Sequence, residues 1–220
     1  MKVRDIPYRI FEKLPLPVYP YRQYMHRKKC IFIHIPKCAG TSVLNALGHK
    51  RGRDHVEVRH YLGSNPIWFD NYFKFTICRH PADRLRSAFN YAISGGNRSS
   101  ADLLLQKHLK GTKGLFNNFC EEFLTEQSVL QYPIFMPQWI FVHLPESDIA
   151  VDAVLRFERL ADDWKQVSKK INVSENLPLH NKARENIQSA VLSKESLINI
   201  ERIYKRDYEL FGYEMGSYYR

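Results

Sequence analysis

The chain has 220 residues, 44% hydrophobic and 25% charged. That is enough apolar material for one substantial core, and it excludes an intrinsically disordered chain. Thirty-three Lys and Arg against 23 Asp and Glu leave a net charge of +10, so the partner to look for is anionic: a nucleotide, a nucleic acid, an acidic glycan or a membrane surface. No apolar run approaches the roughly 18 residues of a transmembrane helix, and the N-terminus carries no apolar signal core. The four cysteines (Cys30, Cys38, Cys78, Cys120) show neither C-x-x-C spacing nor a metal pattern. These features together predict a cytoplasmic protein with reduced thiols and no metal.

Residues 1–28 are basic, aromatic and proline-bearing, and read as an N-terminal arm ahead of a single domain over residues 29–220. Ile6, Ile10, Phe11 and Leu14 have the spacing of one short amphipathic helix, and Pro15, Pro17 and Pro20 then impose an extended segment. The arm has two readings, packing across the domain or contact with a partner or an anionic membrane surface.

Residues 30–35 form a short continuous apolar run rich in β-branched side chains, the pattern of a buried parallel strand. Pro36 ends it. Lys37, Cys38, Ala39, Gly40, Thr41 and Ser42 make a small-residue basic loop, and Val43, Leu44 and Leu47 then fall on one helical face. A strand, a loop and a helix start in that order aim loop amides and a helix N-terminus at an anion, and Lys37 adds a full charge. The Walker A order is absent, because the lysine precedes the glycine, and G-x-G-x-x-G fails because only Gly40 is present.

Residues 49–72 form a long connection holding His49, His55 and His60. Residues 73–78 read as a second buried strand, ending in Arg79-His80-Pro81. Pro81 suits the first turn of a helix whose apolar face is Ala82, Leu85, Phe89, Ala92 and Ile93. Arg79 thus stands at a strand's carboxyl end with Ser87 eight residues on, a guanidinium fork and a hydroxyl suited to a phosphate. Arg79, Arg84 and Arg86 also fit a plain solvated helix face. Beyond this, helices are expected over residues 101–109, 115–130 and 193–210, and a third strand over 149–157. The fold class is α/β: a P-loop-like parallel β-sheet flanked by helices, in a single domain.

Two segments resemble a known family. His34-Ile35-Pro36-Lys37-Cys38-Ala39-Gly40-Thr41-Ser42 is similar to the 5′-phosphosulfate loop of the sulfotransferases that use 3′-phosphoadenosine 5′-phosphosulfate (PAPS), in the carbohydrate-branch wording I-P-K-T-G-G-T-S, with Cys38 and Ala39 in place of Thr and Gly. Arg79-His80-Pro81-x-x-Arg84-x-x-Ser87-x-Phe89 resembles that family's 3′-phosphate motif. Arg156-Phe157-Glu158 and Tyr204-x-x-Asp207-x-x-x-Phe211-Gly212-Tyr213 are similar to later segments. Pro178-Leu179-His180-Asn181-Lys182 resembles the L-P-H-x-N segment but lacks the residue between His and Asn.

The resemblance implies sulfuryl transfer from PAPS to a hydroxyl of a glycan or glycolipid, without a metal. It implies that Lys37 is catalytic and touches the donor, that residues 38–42 hold the 5′-phosphate, and that Arg79 and Ser87 hold the 3′-phosphate. His55, placed where the resembling enzymes carry their base, is the first candidate for that role, with His60 and Glu57 as alternatives. His60 and Gln138 are candidates for the acceptor side. The chemistry asks for a base because the attacking hydroxyl must lose its proton. Two rival classes are a P-loop nucleotide kinase, which would need a Walker A lysine and an acidic Mg²⁺ ligand, and a basic nucleic-acid-binding module, for which no motif appears; no nucleic-acid partner is expected. Cys38, beside Lys37 and a helix start, is expected to have a lowered pKa and to be the first thiol alkylated.

Overall fold

The computed structural model describes residues 19–49, 54–177 and 191–216. Helix α1 (Gln23–Lys28) leads through Lys29, in a left-handed conformation (φ 50°), into β1 (Cys30–Ile33). Every β1 residue is buried, as its unbroken apolar run demands. Burying Ile31, Phe32 and Ile33 contributes about 1.5–3 kcal/mol each, against a span of about 1 kcal/mol for β propensity alone. Burial therefore places this strand. It stops two residues before the expected end: the Thr76 hydroxyl donates to the Ile33 carbonyl (2.8 Å), and the His34 carbonyl faces His55.

The chain continues through α2 (Gly40–Ala46), α3 (Val58–Ser64) and α4 (Pro66–Asn71). Pro66 sits in the first turn of α4, and the Asn65 side chain accepts from the Trp68 amide (3.0 Å). Strand β2 (Phe73–Cys78) spans the residues expected of it. After it come α5 (Pro81–Ile93), α6 (Ser100–His108), α7 (Glu126–Gln131) and α8 (Trp139–Val142). Strand β3 (Ala153–Arg156) completes the sheet, and α9 (Leu160–Lys170), α10 (Lys194–Ile203) and α11 (Lys205–Phe211) follow.

The sheet order is β1-β2-β3 with both pairs parallel, Cys30 opposite Phe73 and Phe75 opposite Ala153. The fold is the expected α/β class, a parallel sheet flanked by helices in a single domain. This register brings the carboxyl ends of β1 and β2 side by side, with Ile33 opposite Thr76, and ligands bind beyond such ends. One apolar cluster surrounds the sheet. A second packs α5 and α6 against residues 116–124, α10 and α11.

Three expectations are corrected. The third strand is only four residues long, because the Asp152 carboxylate turns back to accept from the Lys74 amide (2.7 Å). The helix expected over 115–130 is broken: Phe119–Phe123 forms a π-helical turn, Asn199 Nδ2 donates to the Cys120 and Leu124 carbonyls, and Thr125 caps a new helix, α7. The last helix breaks at Tyr204, whose hydroxyl donates to the Phe135 carbonyl (2.6 Å). From the segment read as an arm, Tyr21, Tyr24 and Met25 are buried in the sheet's own cluster. The amphipathic pattern at Ile6, Ile10, Phe11 and Leu14 and the segment Pro178–Lys182 lie outside the described residues.

Candidate active site

The β1–α2 loop is built on two left-handed residues, Lys37 (φ 68°) and Ala39 (φ 57°). Each costs of order 1–3 kcal/mol, and such strain gathers at ligand-binding sites. The Ala39 carbonyl accepts from the Ser42 amide (3.0 Å), which starts α2. Gly40 answers a close approach: a Cβ there would lie 1.7 Å from His34 Nε2. Lys37, Ala39 and Thr41 are partly exposed, while Gly40 and Ser42 are buried.

Cys38 points inward. It is 1% exposed, and its thiol donates to Gln138 Oε1 (3.5 Å) and the Pro36 carbonyl (3.6 Å). Burial pushes its pKa well up, outweighing Arg84 and Arg79 nearby. The expectation of a lowered pKa and first alkylation is therefore corrected, and only the Cys38 backbone can face an anion. Burial also raises Cys30 to about 12 and Cys78 to about 11.

Arg79 follows β2 and is half-buried. Its Nη1 donates to the Lys37 carbonyl (3.4 Å), and its guanidinium lies over the Phe157 ring, 4.2 Å from the centroid. Two cations thus share the carboxyl end of the sheet, one from each strand. Gln138 holds the Arg79 backbone from both sides: Oε1 accepts from the Arg79 amide (2.9 Å) and Nε2 donates to the Arg79 carbonyl (2.8 Å). Gln138 is 0% exposed, and its own amide and that of Trp139 donate to the buried Asp207 carboxylate, both at 2.8 Å. It is a clamp on Arg79, with both ends of its side-chain amide engaged by that residue's backbone. Glu158 fixes the next residue, accepting from the His80 amide (2.6 Å) and from the Tyr213 hydroxyl (2.9 Å).

Ser87 stands two turns into α5 and is half-buried. Arg84 does not solvate that helix. It is 0% exposed and donates to the carbonyls of Ile134 (3.2 Å), Phe135 (3.4 Å) and Met136 (2.8 Å).

His55 is exposed and sits at the end of β1, where its Nδ1 bonds the His34 carbonyl (3.0 Å) and its ring centroid is 4.2 Å from that of His34. The acceptor is a carbonyl, so Nδ1 carries the proton and Nε2 is the basic nitrogen of the neutral ring. His60 is exposed on α3, one turn beyond Glu57, whose carboxylate pairs with Arg59 (2.7 Å). The described contacts thus bring Lys37, Arg79 and His55 to one end of the sheet.

His34, Phe157 and Asp207 were quoted only as members of motifs, without these contacts, and sequence reasoning missed Tyr91 and the hold of Gln138 on Arg79. Tyr91 had a local signal, one helical turn beyond Ser87. The clamp on Arg79 had none, because Gln138 is 59 residues away.

Lys37 and Arg79 bring two positive charges beyond adjacent strand ends, an arrangement suited to an anionic ligand. Among the described residues, no group of three or more His, Cys, Asp or Glu side chains could hold a metal ion, and no helix is long and apolar enough to cross a membrane. Searches of curated proteins and of solved structures give no match. A scan against protein-family profiles matches the Sulfotransferase family over residues 24–214, which takes in β1, the Lys37 loop, Arg79 and the whole sheet: the chain belongs to the sulfotransferase family.

Proposed function

We propose that this sulfotransferase moves a sulfuryl group from PAPS to a hydroxyl of a glycan or glycolipid. The observation that carries the reading is the meeting of Lys37 and Arg79 at adjacent strand ends, with Arg79 Nη1 on the Lys37 carbonyl (3.4 Å). A donor with phosphates at both 3′ and 5′ positions needs two such cations. In this reading Arg79 and Ser87 hold the 3′-phosphate, and the backbone of residues 38–42 holds the 5′-phosphate. The carbohydrate-branch wording of the loop supports the acceptor class.

His55 Nε2 takes the proton from the acceptor hydroxyl as its oxygen bonds to sulfur. The bond between sulfur and the 5′-phosphate oxygen breaks, and that oxygen leaves with the electron pair on adenosine 3′,5′-bisphosphate (PAP). Lys37 neutralises the charge gathering there. The balance is complete: one O–S bond forms, one breaks, and the proton rests on His55. The free, buried thiols suit a reducing cytoplasm, and the net charge of +10 suits a peripheral anionic membrane surface.

A PAPS-consumption screen over glycans, phenols and small alcohols tests the reading. With the best acceptor, His55→Ala should lower turnover by roughly 10²–10⁴ while PAP affinity stays nearly intact. Wild-type turnover in His55→Ala, with loss in His60→Ala, would move the base to His60.

A further inference from the structure

Helix α5 places Tyr91 one turn beyond Ser87, on the same face. The Lys37 ammonium lies over the Tyr91 ring, 4.3 Å from the centroid. That ring is fixed on two sides. Its hydroxyl oxygen accepts from the Asn97 amide (3.1 Å), which also reaches Asp102 Oδ2 (3.1 Å). Asp102 in turn accepts from the Ser99 hydroxyl (2.8 Å) in the capping box that begins α6. Its edge presses on Gly96, where a Cβ would lie 2.7 Å from Tyr91 Cε1 and Cζ. The α5–α6 connection thus holds one aromatic face steady beneath the loop lysine.

We infer that Tyr91 is a positioning residue for sulfuryl transfer, its ring face holding the Lys37 ammonium at the mouth of the loop. The inference rests on the reaction proposed above. A carboxylate could also hold an ammonium, but it would cancel the charge and repel an approaching phosphosulfate. A ring face attracts the cation through its quadrupole and brings no negative charge of its own to the loop. It also limits the rotamer freedom of a long side chain, so less order has to be gained at the moment of reaction.

The test uses the full chain with its lysines ¹³C-dimethylated, which keeps their charge, and the Lys37 signal assigned by its loss in Lys37→Arg. That signal should be shifted upfield by the ring in wild type and in Tyr91→Phe, and should move to the position of exposed lysines in Tyr91→Leu. Turnover in Tyr91→Leu should fall about 2–5-fold, the range of one partly exposed cation–π contact. The same change in a Lys37→Met background should cost nothing further, since coupled residues are non-additive. If Tyr91→Leu fails to fold, Tyr91→Met removes the ring with an unbranched side chain that adapts to the gap. An unchanged Lys37 signal without the ring, or an equal loss of turnover in both backgrounds, overturns the positioning role alone. An upfield Lys37 signal in a wild-type protein that transfers no sulfuryl group overturns the reaction, and the role with it.

Discussion

Gly40→Ala probes how the loop is seated. A Cβ at residue 40 would lie 1.7, 2.1 and 2.5 Å from His34 Nε2, Cδ2 and Cε1, inside contact distance of three ring atoms at once. The His34 ring must move, and it is 5% exposed, stacked on Phe32 (5.5 Å between centroids) and packed against His55 (4.2 Å). Forcing one methyl into such a site typically costs 1–3 kcal/mol. For a chain of this length that lowers Tm by roughly 2–12 °C. Thermal unfolding followed by circular dichroism reads it. The cause is isolated by repeating the substitution in His34→Ala, where the ring is gone and the added methyl has room. The cost of Gly40→Ala should then shrink by at least half. A wild-type Tm for Gly40→Ala, or an equal cost in both backgrounds, would refute the reasoning.

Two further outcomes follow from the same loop. Ala39→Gly should stabilise the protein by up to about 1.6 kcal/mol in urea titration: left-handed strain of about 1–2 kcal/mol at φ 57° is relieved, and glycine's greater freedom in the unfolded chain takes back about 0.4–1. Destabilisation would show that Ala39 makes contacts that outweigh its backbone strain. In the native protein iodoacetamide should label Cys38 no faster than Cys30, Cys78 or Cys120, because all four thiols are buried, and urea should release all four together. Fast native labelling of Cys38 by peptide mapping would mean that its thiol is not held between Pro36 and Gln138.

The parts of the fold that could be read from the sequence are those decided by neighbours in the chain. The run at residues 73–78 is buried throughout its second half, so its hydrophobic pattern gave the strand's ends directly. Pro81 marks the first turn of α5 by its fixed φ, and Ser193 caps α10 by a hydroxyl three residues from the amide it serves. What could not be read depends on distant partners. The inward turn of Cys38 is set by Gln138, 100 residues on. Arg84 looks like a surface arginine in sequence, yet three carbonyls 50–52 residues away take its protons. Tyr21, from the segment read as an arm, is held by its hydroxyl on the Tyr61 and Asn65 carbonyls, and no local pattern reports such a contact. Lys37 and Arg79 stand at strand ends, where the strand–loop–helix patterns put them, whereas the groups that hold them could not be read, and His55 was singled out only by the family resemblance.

The central claim is that the two strand-end cations read a nucleotide bearing both a 3′- and a 5′-phosphate. Calorimetry with PAP and with adenosine 5′-phosphate, on wild type and on Arg79→Ala, tests it most directly. Arg79→Ala should weaken PAP binding by about 2–5 kcal/mol, the usual cost of losing one partner of a buried charged contact, and leave adenosine 5′-phosphate binding little changed. Equal loss for both ligands, or no PAP binding by the wild type, would contradict it.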